Sequence, residues 1–197
     1  MEEDANRNAR CSYVAVVAST LVFLILSAAL YIWSGGYNVA ASDPHLEFVS
    51  LSLATIRDRS IEVRAGETEA PRLEPETAMK GFRPYHGLCS ICHSAPGLEA
   101  GPIRQGLNPK PPLLTSERIQ RRSNEQLFWI VKHGIKMSGM PAFGPTHNDR
   151  ELWQIVSFVR QLPRITDDEY LAMVRAAGRF ETDDHGHDHG RHTHHQQ

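Results

Sequence analysis

From Tyr13 to Trp33 the chain is apolar without a single charged position, while the stretches on either side are polar. At ~1.5 Å of helical rise per residue the run is about 31 Å long, enough to cross a hydrocarbon core of ~30 Å. Residues 13–33 are therefore expected to be a transmembrane helix, closed by Tyr31 and Trp33 as interfacial aromatics. A signal peptide cleaved near Val39-Ala40-Ala41 is the rival reading. Signal h-regions are shorter, ~7–15 residues, and open on a cleaner basic segment, so an uncleaved anchor is favoured. Arg7 and Arg10 precede the run and the next basic residue is Arg57. That asymmetry places residues 1–12 in the cytoplasm and everything after Trp33 outside.

The remaining apolar positions recur at helical spacing, interrupted by Gly and Pro. Asp43-Pro44 reads as an N-cap with Pro at the first helical position, and Leu46, Val49, Leu53 and Ile56 follow in phase, predicting a helix over 44–62. It lies within a connector, 34–73. A folded region, 74–178, starts with a short helix that Pro84 should kink or restart. Residues 94–112 are dominated by Gly and Pro and read as a loop. Ser123 with Gln126 predicts a capping box for a helix stopped by Gly134. Thr146 with Asp149 predicts the cap of the next, and Thr166 with Glu169 opens a last helix, 167–177, closed by Gly178. Residues 179–197 are a His-rich tail that cannot bury a core and is expected to be disordered.

Composition narrows the chemistry. Among 197 residues the formal net charge is -2 and 22% are charged, so no nucleic-acid partner is indicated. Of the three cysteines, Cys89 and Cys92 fall in Cys89-Ser90-Ile91-Cys92-His93. C-x-x-C-H is the attachment signature of a covalent haem, with two thioethers and the following histidine as an iron ligand. A zinc site would need two further ligands at comparable spacing, and the remaining cysteine, Cys11, is far upstream. Met140, before Pro141 and bracketed by Gly139 and Gly144, is held off helical geometry on a rigid loop between two helices. It is the expected second axial ligand; Met137 and His133 are rivals. No acid–base constellation is visible, so no catalytic residue is assigned.

The set of Tyr85, Cys89, Cys92, His93, Met140-Pro141 and a terminal helix carrying Trp153 resembles the class I cytochromes c. It is most similar to bacterial membrane-anchored single-haem members and to the haem c subunits of terminal oxidases. The resemblance covers roughly residues 75–165. It implies an all-α domain around one covalent haem c. It also implies a proline carbonyl that accepts a hydrogen bond from the proximal imidazole. In Pro111-Pro112-Leu113 the expected acceptor is Pro111, with Pro109 as an alternative, and Leu113 would pack on the porphyrin. Covalent haem in bacteria is attached outside the cytoplasmic membrane, in agreement with the orientation above.

The expectation is a single-pass protein of the bacterial inner membrane, its haem domain on the periplasmic or outer side, carrying single electrons between respiratory-chain partners or within a terminal oxidase. With His93 and Met140 both on iron, no position is open for oxygen, so an electron carrier rather than an enzyme is expected. Two alternatives are a haem sensor or peroxidase-like protein with a labile Met140, and a metal-handling protein working through its tail. His185, His187, His189, His192, His194 and His195 are dense enough to bind zinc, copper or nickel loosely, which makes a divalent metal a candidate partner. Between Glu99 and Lys136, seven basic residues face three Glu, a net +4. That surplus is expected to steer an acidic redox partner.

Overall fold

The computed structural model describes residues 2–184; the tail histidines, His185 onward, lie outside the described residues. Among those described the structure is helical, with no strand and one isolated bridge, Ala95 to Leu98. The chain divides into two compact units, one ending at Asp43 and one beginning at Pro44. In the first, α1 (Glu2–Trp33) contains a stretch, Ser12–Trp33, long and apolar enough to cross a membrane, with a mean hydropathy of 2.4.

The second unit starts with α2 (Glu47–Ala65), three residues later than expected. Asp43 does not cap it, because the Asp43 carboxylate is engaged by the Asn38 side-chain amide. Leu46 takes the N-cap position without a side-chain bond. The C-terminal half of α2 buries Ile61 and Ala65 and packs on α8, described below. Its N-terminal half leaves Leu46, Phe48, Leu51 and Ile56 exposed. The helix thus belongs to the same compact unit as the residues that follow.

From Pro75 the chain runs almost continuously helical to His93, through α3 (Pro75–Lys80), α4 (Phe82–Pro84), a π-helical turn (Tyr85–Cys89) and α5 (Ser90–His93). Pro84 does not restart the helix. It lacks an N–H, and the chain absorbs the lost bond by widening into a π turn just beyond it, as π-bulges often do at functional sites. The loop after His93 contains α6 (Pro102–Gly106), and α7 (Glu117–Gln120) follows.

Then come α8 (Asn124–His133) and α9 (Asp149–Gln161). The Ser123–Gln126 capping box and the Gly134 stop are as predicted. The second cap is not: Asn148 with Glu151 caps α9, while Thr146 Oγ1 turns back to the Phe143 carbonyl and to His147. The last helix, α10 (Asp167–Asp184), opens on Thr166 with Glu169 and passes through Gly178. Gly178 has no positive φ to impose a stop, so residues 179–184 stay helical rather than beginning the tail.

The core forms where α3–α5 cross α9. Leu152, Ile155, Val156 and Phe158 are buried. Phe158 meets Phe82 and Tyr85 at ring-centroid distances of 5.6 and 5.1 Å, and Tyr170 of α10 meets Phe82 at 5.6 Å. Phe128 and Trp153 stack at 4.2 Å, joining α8 to α9. The crossing is tight at Gly81, where a Cβ would stand 2.0 Å from the Gln154 carbonyl oxygen.

Two predictions follow from this packing. Gly81→Ala must push α3 away from α9 and should cost more than ~3 kcal/mol, whereas Gly178→Ala, with open space around it, should gain up to ~1 kcal/mol. Thermal unfolding of the full chain checks both. The second concerns Asp58, which the hydrogen bond from Arg57 and then that from Arg122 hold at about 2, burial opposing. A depressed carboxyl stabilises above its unfolded value of 3.8 and loses that contribution as pH falls through about 2. Its side chain is 42% exposed, which screens the gain to about 1 kcal/mol. The stability gap between wild type and Asp58→Asn should therefore be present at pH 7 and close between about pH 4 and pH 2.

Candidate functional site

A cleft of about 230 Å³, partly open to solvent, lies between the Cys89–His93 turn, the Pro-rich loop, α8 and α9. Its walls are mainly apolar, with Leu88, Leu114, Leu127, Val131, Ile155 and Val156 among them. Cys89, Cys92, His93 and Met140 all line it.

His93 is set in place by the end of its helix. Ser94 adopts φ 64° and ψ -177°, a backbone geometry that is costly for a residue with a Cβ and turns the chain sharply out of α5. The buried Tyr85 hydroxyl donates to the Ser94 carbonyl at 2.8 Å, and Ser94 Oγ donates to the Leu98 carbonyl at 2.8 Å. Burial and its neighbour Tyr170 push the Tyr85 hydroxyl pKa far up, so it stays a donor.

The His93 Nδ1 lies 2.8 Å from the Pro112 carbonyl. A carbonyl only accepts, so Nδ1 carries the proton and Nε2 keeps its lone pair. Burial lowers the His93 pKa; the Pro112 bond opposes this and the Arg104 charge adds to it. The imidazole is neutral at neutral pH, the form that binds a metal. The acceptor is Pro112, not the expected Pro111. Leu114, not Leu113, lines the cleft, and Leu113 is 46% exposed. Both corrections are the same one-residue shift in register. Adjacent prolines are sterically alike, and only the path of the loop decides which carbonyl faces the ring. Pro109 and Pro111 line the cleft without making that bond.

Met140 is held on the far side of the sequence by backbone. Ile135 N–H donates to the Met140 carbonyl at 3.2 Å, Phe143 N–H to Val131 at 3.2 Å and Gly144 N–H to Lys132 at 2.9 Å. Gly134 (φ 66°) lies so close that a Cβ would be 2.7 Å from the Pro141 carbonyl carbon. The loop is thus clamped onto the end of α8. Met137 is 83% exposed and does not line the cleft, and His133 is exposed, its ring 4.9 Å from Trp129. Neither rival is among the residues that line the cleft.

The two thiols are unbridged. Burial, and then Cys92, push the Cys89 pKa up to about 12. Redox and metal-binding C-x-x-C pairs work through a depressed pKa, which burial of Cys89 opposes. The donor set therefore fits haem: two cysteines and a neutral imidazole on one wall, a thioether on a clamped loop, and apolar residues between them. A further donor, Arg104 Nε, is buried without a protein partner. Sequence reasoning missed the contribution of α2, whose Arg57 lines the cleft beside Lys110, Arg118 and Arg122. A charged residue on a helix assigned to a connector gives no signal that the helix will fold back onto a site.

An all-α domain with C-x-x-C-H at the edge of an apolar cleft and a methionine loop across from it defines a class I c-type cytochrome. Residues 76–159 match the family described as cytochrome C oxidase, cbb3-type, subunit III. The domain is a class I c-type cytochrome related to the haem c subunits of cbb3 oxidases, with the covalently bound haem c and electron-transfer role which that family implies. No curated protein matches the chain.

One prediction tests how the proximal turn is held. Tyr85→Phe leaves the buried Ser94 carbonyl without its donor and should cost about 1–3 kcal/mol, measured as a fall in the thermal midpoint of the full chain.

Proposed function

We propose that this chain is a membrane-anchored electron carrier with one haem c, moving single electrons between respiratory partners or within a terminal oxidase. One observation carries the reading: His93, its Nδ1 committed to Pro112, lines the same cleft as Met140. When bound, haem c supplies a one-electron ferric/ferrous couple.

The residues divide the remaining work. Cys89 and Cys92 would hold the group through thioethers, with His93 as a ligand to its iron. Pro112 holds the imidazole in the tautomer whose Nε2 is free to ligate. Met140, clamped by the backbone bonds to α8, would supply the second ligand, a thioether that would raise the potential. Leu114, Leu127, Ile155 and Val156 exclude water. With His93 and Met140 both as ligands, no position would be left for oxygen or peroxide, and the chain would change charge without binding a substrate. The match to an oxidase subunit supports redox proteins of an oxidase complex as its partners. The basic surplus between Glu99 and Lys136 would steer an acidic one, through a field screened over ~8 Å at physiological salt.

The apolar stretch Ser12–Trp33 supports a single membrane pass, with the haem domain on the outer side of a bacterial inner membrane. The tail from His185 would bind divalent metal loosely.

Spectra of the purified full chain test the reading. One covalent haem per chain, a charge-transfer band of thioether-ligated ferric haem, and no change when carbon monoxide meets the ferrous form are expected. Met140→Ala should lose the band and bind carbon monoxide. Prompt carbon monoxide binding by the wild type would instead mean an open iron and a sensor or enzyme.

A further inference from the structure

The residues lining the cleft include Arg57, Lys110, Arg118 and Arg122 but no Asp or Glu. Three of these cations gather on Asp58. Arg57 donates from Nε at 2.8 Å and from Nη2 at 3.0 Å, Arg122 donates from Nη2 at 2.6 Å, and Arg118 Nη2 stands 3.9 Å away. Three guanidiniums thus share one carboxylate, leaving two positive charges in excess before Lys110 is counted. Two of them are partly buried: the Arg57 and Arg122 side chains are 25% and 15% exposed. Two other ion pairs of this unit, Lys132–Asp149 and Lys80–Glu76, are one to one.

The excess is held in place deliberately. Arg160 of α9 donates to the Gln120 carbonyl at 2.8 Å, to Asn124 Oδ1 at 2.7 Å and to the Arg122 carbonyl, so the turn carrying Arg122 is tied to the core. Arg57 arrives from the other direction on α2, anchored by Ile61 and Ala65. Partly buried cations cost free energy unless anions meet them, and guanidinium forks are suited to carboxylates. A haem carries two propionate carboxylates, the number the excess calls for.

We propose that α2, which lies outside the matched residues 76–159, completes the haem site, with Arg57, Arg122 and Arg118 receiving the haem propionates and Asp58 holding the three arginines together. This rests on the cleft being a haem site. The arginines act on the iron through charge: they favour the reduced form, and Asp58 opposes them.

Substitutions of opposite sign separate this from a packing role. Arg57→Gln in the full chain should lower the midpoint potential, roughly tenfold in the equilibrium preference for ferrous iron, or ~59 mV. Asp58→Asn should raise it. Arg59→Gln, on the exposed side of α2 and paired with Glu62, should leave it unchanged. A potential unmoved in Arg57→Gln, or moved the same way in Arg57→Gln and Asp58→Asn, overturns the proposal. If Arg57→Gln does not assemble, Asp58→Asn alone decides: a rise supports the proposal, and a fall or no change overturns it. A haemochrome assay on each variant keeps the two readings apart. Covalent haem with unmoved potentials sinks this inference alone, and no covalent haem in the wild type sinks the haem reading along with it.

Discussion

The site depends on a single close approach. Gly81 lets α3 settle against the backbone of α9 at Gln154, at a distance no side chain would permit. From that crossing the chain stays helical to His93, so seating its first turns also decides where its last residues lie. Phe82 and Tyr85, one turn on, are pressed into Phe158 by the same contact. The attachment turn is thereby carried on a rigid arm whose root is in the core, which is how a loop-like motif is held to the tolerance that ligation demands.

The two sides of the cleft are stiffened by different means. On the cysteine side, a widened turn after Pro84, a strained Ser94 and the Tyr85 hydroxyl set the angle of the helix end. On the methionine side there is no helix; a short loop borrows order from α8 through three backbone bonds. Strain on one wall and clamping on the other both limit the freedom of the residues that line the cleft.

Much of this was legible in the sequence. The attachment motif and the Met140-Pro141 loop carry their geometry in residue type and spacing, and Ser123 with Gln126 and Thr166 with Glu169 form the bonds their side chains suggest. What was not legible depends on partners distant in sequence. Leu46 rather than Asp43 stands at the N-cap of α2, and the Asp43 carboxylate accepts from Asn38; Thr146 yields to Asn148 and turns back on Phe143. Pro112 replaces Pro111 through the path of a loop, and Gly178 continues a helix that a glycine alone has no power to end. Arg57 was invisible for the deepest reason. Its role exists only once α2 lies on α8, and nothing local to α2 encodes that docking.

The placement of α2 changes where this protein ends as a folding unit. A boundary drawn at residue 76 would remove α2, which packs on α8, and with it Arg57 from the wall of the cleft and Asp58 from Arg122. A minimal working fragment therefore begins before Glu47. The exposed Phe48, Leu51 and Ile56 come with it, so any water-soluble version of this domain inherits an apolar helix end that detergent, lipid or a partner has to cover.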